Sequence, residues 1–173
     1  MSIAQSFLAE FEQEAKTTRK FLERLPEDKL TGKPHERSMS AGQLALHIAA
    51  SPGRVVQMAS ATAAEAPDFD GAHPQPASRA EILQTLDPSL AAVREVLPTL
   101  DDNRMQATWS AQKDGRVVLS MPRTAFLRSI LLNHGYHHRG QFGVYLRLLG
   151  AKVPAAYGPS ADEMPDFMVR AAS

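Results

Sequence analysis

Apolar residues recur at three- and four-residue spacing in four stretches of this chain, with polar or proline-rich segments between them. In the first, Ile3, Phe7, Leu8, Phe11, Ala15, Thr18, Phe21, Leu22 and Leu25 share a face, while Glu10, Glu12, Glu14, Lys16 and Lys20 fall mostly elsewhere. This predicts an amphipathic helix over residues 2–25, opened by a capping box between Ser2 and Gln5 and ended by Pro26. Ser40 with Gln43 spells a second box and opens a helix predicted over 40–65, whose inward face carries Leu44, His47, Ile48, Ser51, Val55 and Met58. Pro52 cannot donate to the carbonyl of Ile48, so Pro52-Gly53 predicts a kink or a break there. Ser78 with Glu81 opens a third helix over 78–97, which Pro88 kinks or restarts. The fourth is predicted over 121–149, with Ser120 as its cap, Pro122 in its first turn and Gly150 at its end.

Between Pro98 and Pro122 the period changes. Thr108-Trp109-Ser110 and Val117-Val118-Leu119 flank Lys113-Asp114-Gly115, which predicts a short hairpin leaning on the helices through Trp109. Residues 26–38 and 66–77 read as loops, and 151–173 as a tail that packs on the helices or frays. The expectation is a single all-α domain over 1–173, a four-helix bundle with a hairpin between its third and fourth helices.

Composition narrows the function. Nineteen basic side chains balance nineteen acidic ones, so no net basic field is available for nucleic acid. No apolar run is long enough to cross a bilayer, and the first eleven residues lack the basic start and apolar block of a signal peptide. The chain has no cysteine, which excludes disulfides, thiolate ligands and a protein thiol nucleophile and fits a cytoplasmic protein.

The chemistry concentrates in Asn133–Gln141, NHGYHHRGQ. His134 and His138 lie one helical turn apart, about 40° round the axis from each other, in what reads as the middle of the apolar stripe with Leu127, Ile130, Leu131 and Leu148. Two stacked imidazoles in such a stripe need partners that no nearby charge supplies, and they match the spacing with which helical histidine pairs grip one metal ion. His47 faces inward too. Its residue context leaves two readings open, a structural core histidine or a third ligand. Three neutral imidazoles suit zinc, nickel, copper or iron(II). His137 falls about 100° round the helix from His138 and reads as a rim residue. Gln141, Asn133 and His137 are candidates for the layer behind the ligands. Arg139 reads as an outward charge, Tyr145 as core, and His35 and His73 as solvated loop residues.

His47 in LALHIA, the run HGYHHRGQFGVYLRLLG and the following VPAAYGPS resemble the DinB / YfiT-like metalloenzyme family, over most of the chain and most specifically from His134 to Pro159. The resemblance implies an antiparallel four-helix bundle, often a homodimer, with nickel or zinc on His47, His134 and His138. It also implies thiol-dependent transferase or isomerase chemistry with a low-molecular-weight thiol such as bacillithiol, mycothiol or glutathione. The expected function is therefore a metal-dependent S-transferase acting on small electrophilic molecules. The alternatives are a metal-dependent hydrolase on the same ligands, disfavoured because no Asp or Glu neighbours either histidine motif, and a non-catalytic metal- or ligand-binding stress protein.

Overall fold

Two of the three helix starts that the sequence marks are complete capping boxes. The hydroxyl of Ser2 accepts from the Gln5 backbone while Gln5 returns to Ser2, opening α1 (Ile3–Glu23). Ser40 and Gln43 do the same for α2 (Ala41–Ser60). At α3 (Arg79–Val96) Ser78 caps the backbone of Glu81, but the Glu81 carboxylate turns outward to the Ala77 N–H. These elements come from a computed structural model, which describes residues 1–68, 73–165 and 168. The expected 66–77 loop and 151–173 tail therefore lie partly outside the described residues.

The architecture is not the simple all-α four-helix bundle that periodicity suggests. Among the described residues it has five helices and a three-stranded mixed sheet. After α3 come a short α4 (Asp102–Gln106), β2 (Thr108–Lys113) and β3 (Arg116–Pro122), the last two forming the expected antiparallel hairpin with a register shift at Ala111/Gln112. The third strand, β1 (Ala63–Glu65), pairs parallel to β2 at the opposite edge from β3. Two alanines and a glutamate give no strand period, and the helix expected to reach residue 65 in fact stops at Ser60. Its last carbonyls are taken by distant guanidinium groups. Arg123 donates to Ala59 and Ala61, and Arg104 to Ser60, which satisfies the helix end and lets the chain leave as a strand.

The final helix, α5 (residues 123–148), follows β3 directly. Pro122 closes the strand and precedes the helix, while Ser120, expected as its cap, instead pairs with Ser110 in the sheet. α5 runs as α-helix at Arg123–Phe126, as π-helix at Leu127–Asn133 and again as α-helix at His134–Leu148. The wide turns re-phase the helix. Leu127, Leu131 and Leu132 are all buried, whereas Ile130, expected inside, reaches the surface. Fully buried Trp109 stacks on Phe126 with ring centroids 3.8 Å apart and donates its indole N–H to Met58 at 3.0 Å, fastening the sheet between α2 and the start of α5. No described helix is long and apolar enough to cross a membrane.

Neither internal proline breaks its helix. α2 and α3 approach closely where Gly53 meets Ser89, each the residue after a proline. The Ser89 hydroxyl accepts from the Gly53 N–H at 2.8 Å and reaches the Ala50 carbonyl at 3.4 Å, so a neighbouring side chain supplies polar contacts beside Pro52. A Cβ on Gly53 would lie 3.0 Å from the Ser89 Cα, which is backbone and cannot swing away. Gly53→Ala should therefore destabilise the fold by roughly 1–3 kcal/mol, although alanine is the better helix former. A lowered urea midpoint with unchanged slope is the expected result, and an unchanged or raised midpoint would refute the close-approach argument.

Candidate metal centre

The edge of α5, rather than its middle, faces the site. Arg139, Phe142, Tyr145 and Leu146 form the buried side of its second half, while His137, Val144 and Leu148 are exposed. His134 and His138 lie between these sides and are half-buried. His47, in the first half of α2, faces them and is half-buried as well. The two α5 imidazoles are therefore reachable from outside, which the expected mid-stripe position would have prevented.

The three rings converge through their Nε2 atoms. His134 Nε2 lies 3.0 Å from His138 Nε2 and 3.4 Å from His47 Nε2. One nitrogen from each ring falls within 4.8 Å of the other two, and the three could hold a metal ion. Ligand bonds of about 2.0–2.1 Å at tetrahedral angles put donor nitrogens about 3.3 Å apart, so the spacing fits a small divalent cation with little movement.

The surroundings fix the rings in the form a cation needs. His138 Nδ1 donates to the amide oxygen of Gln141 at 2.9 Å, which places its proton there and leaves the Nε2 lone pair free. The Ser51 hydroxyl donates to the His47 carbonyl one turn back at 2.6 Å and stands 3.4 Å from His47 Nε2. Burial, and then the proximity of the neighbouring imidazoles, lowers the pKa of His47 and of His134 from 6.5 to about 4. Burial also lowers that of His138, partly offset by its bond to Gln141. All three are neutral near pH 7.

Of the candidates behind the ligands, Gln141 bonds a ring. Asn133 is exposed and makes no hydrogen bond to the histidines among the described residues. His137 is exposed and touches only the outer side of His138, with centroids 4.8 Å apart. Tyr145 is core, its hydroxyl donating to the Met39 carbonyl at 3.1 Å. His35 is a solvent-facing loop residue, its Nδ1 accepting from the Arg37 N–H at 3.2 Å.

Two expectations are corrected. Arg139 is only 3% exposed, because α1 and the tail cover that face of α5. It donates to the Glu14 carboxylate at 2.5 Å, to Thr18 Oγ1 and the Glu14 carbonyl at 3.2 Å, and to the Tyr157 hydroxyl, which itself donates to Glu14 at 2.7 Å. His73 is no bland loop residue either, since its ring stands edge-on to His47 with centroids 6.0 Å apart. Both escaped sequence reasoning because the residues that place them, Glu14, Thr18 and Tyr157 for Arg139 and Gln43 for His73, are remote in the chain.

A hollow opens beside the rings, lined by Ile48, Ser51, Pro52, Leu131 and Gly135 together with His134 and His138. It shares Ile48, Pro52, Leu131 and Gly135 with a larger, mostly apolar one that reaches the Glu14–Arg139 pair. Gly135 lines both, and a Cβ there would meet nothing within 4 Å.

The DinB family model matches residues 1–167. The chain is 30% identical over 166 residues to YrdA of Bacillus subtilis, covering 95% of this chain and 94% of YrdA. A DinB-like protein from Bacillus cereus, of known structure, is 27% identical with a TM-score of 0.71, over 90% of this chain and 98% of that one. The DinB-like protein YjoA of Bacillus subtilis has the same fold at 19% identity, with a TM-score of 0.66 over 87% and 96% of the two chains.

The depressed histidine pKa values fix the sign of an acid effect. Between pH 6.5 and about 4 the unfolded chain binds protons that the folded rings refuse, so stability falls as pH drops through that window. Urea midpoints of chelator-treated protein should decline across it. The decline should be shallower in His47→Gln/His134→Gln protein, and equal slopes would show that these rings are not held neutral.

Proposed function

The chain belongs to the DinB family, and from that membership we propose that it is a metal-dependent enzyme, a thiol S-transferase acting on small electrophilic molecules. The observation carrying the reading is the meeting of three neutral Nε2 atoms at cation spacing on an accessible helix edge. His47, His134 and His138 would hold zinc or nickel, with Gln141 fixing the His138 tautomer and ring angle. A divalent cation held there would lower the pKa of a bound thiol and so supply a thiolate nucleophile near pH 7. The thiol proton would leave to solvent, and the sulfur lone pair would form the bond to the electrophilic atom as the leaving group departs with its electrons.

The chain's own contribution is to hold and orient. The rings fix the cation from three sides, and the neighbouring hollow, lined by Ile48, Pro52 and Leu131, offers an apolar place for the second substrate. A hydrolytic reading would need a general base beside the centre. The described residues lining that hollow include no carboxylate, and Glu14 in the larger hollow is engaged by Arg139 and Tyr157. A reducing cytoplasm is the compartment in which such a thiol would be available.

Protein purified without an affinity tag should carry about one divalent metal per chain by elemental analysis. His134→Ala should lower that content at least tenfold, while His137→Ala should keep it. Metal retained in His134→Ala protein would end the ligand assignment. Metal-loaded protein mixed with a generic electrophile and a panel of low-molecular-weight thiols should turn over at least one of them. If none reacts while the metal stays bound, the transferase reading is wrong and the centre serves something else.

A further inference from the structure

His73 is fastened in place with more care than a solvated loop residue requires. Its carbonyl accepts from the Gln43 side-chain amide at 2.8 Å, and Gln43 lies one turn before His47 on α2. The same side chain completes the capping box, its oxygen accepting from the Ser40 N–H at 2.8 Å. Two residues on, Gln75 accepts from the hydroxyl of fully buried Ser40 at 2.6 Å, and Pro76 is buried. A Cβ on Gly42 would fall 2.7 Å from the Gln75 amide nitrogen, 2.9 Å from the Leu30 carbonyl and 3.0 Å from a Pro76 ring carbon. The bare Cα of residue 42 leaves the segment room to pack this closely. Pro74 further confines His73 to extended backbone.

The strap sets the His73 ring edge-on to His47 at 6.0 Å while leaving it exposed. The His73 nitrogens are not among those that converge within 4.8 Å of one another, yet the ring stands close enough to reach a group bound to them. The three ligands carry no N–H that points at such a group, because their Nε2 lone pairs are given to the cation.

We propose that His73 is a fourth residue of the site, and that its imidazole N–H hydrogen-bonds the anionic group, a thiolate or small anion, taken up at the cation's open position. The inference rests on the metal-centre reading above. A charge-assisted bond of this kind holds a bound anion without contributing to affinity for the cation itself.

The test uses cobalt(II)-loaded protein with azide as the anion, followed by visible absorption. His73→Ala should bind cobalt with wild-type stoichiometry but azide roughly five- to tenfold more weakly. His73→Gln, which keeps an N–H donor, should recover part of that loss. Azide affinity unchanged or tightened in His73→Ala protein would overturn the proposal, the second outcome meaning that the ring obstructs the position. Loss of cobalt from His73→Ala protein would overturn it too, by making His73 a ligand. Failure of the wild type to bind cobalt would instead bring down the metal-centre reading, and this inference with it.

Discussion

Seven residues of wide helical turn, Leu127–Asn133, govern where the second half of α5 points. Upstream, Arg123 and Phe126 are locked to the far end of α2 and to the sheet through the Ala59 carbonyl and the Trp109 ring. Downstream, His134 donates its N–H five residues back, to Ser129, and the helix resumes its ordinary pitch. With α5 pinned at its start, the wide turns set the angle at which His134 and His138 emerge, and that angle meets His47. Such turns lose the tighter packing of an α-helix and are frequent near functional sites. Here the distortion adjoins His134 directly.

The same geometry puts one nitrogen from each of three neutral imidazoles within 4.8 Å of the other two, with no carboxylate among them to balance charge. Burial disfavours the protonated form of each ring, and neighbouring imidazoles add to the effect at His47 and His134. A small divalent cation could answer all three lone pairs at once. The polar groups around it are satisfied in ways that preserve this poise, Gln141 by taking a proton bond from His138 and Ser51 by turning its own hydrogen to the α2 backbone.

Much of this was legible in the chain because it depends on near neighbours. The Ser2/Gln5 and Ser40/Gln43 boxes, the Lys113-Asp114-Gly115 turn, the Trp109 anchor and the stacking of His134 over His138 all arise from residues a few positions apart. The HGYHHRGQ run with VPAAYGPS carried the family resemblance, which the DinB family match bears out. What escaped depends on distance. Nothing local tells α2 to stop at Ser60, since the groups taking its last carbonyls are Arg104 and Arg123. Arg139 lies on the polar side of an ideal wheel and is buried by α1 and Tyr157. A straight wheel also misplaces Ile130, because it assumes one pitch throughout α5. His73 sits beside two prolines, and only its seat on α2 makes it part of the site.

Gly135 follows His134 and lines both hollows, with open space where a side chain would be. A larger residue there would take up that space without meeting a neighbouring atom at its Cβ. Relatives with different side chains at this position could admit molecules of different bulk while leaving the histidines undisturbed, so substrate range can drift in this architecture separately from its chemistry.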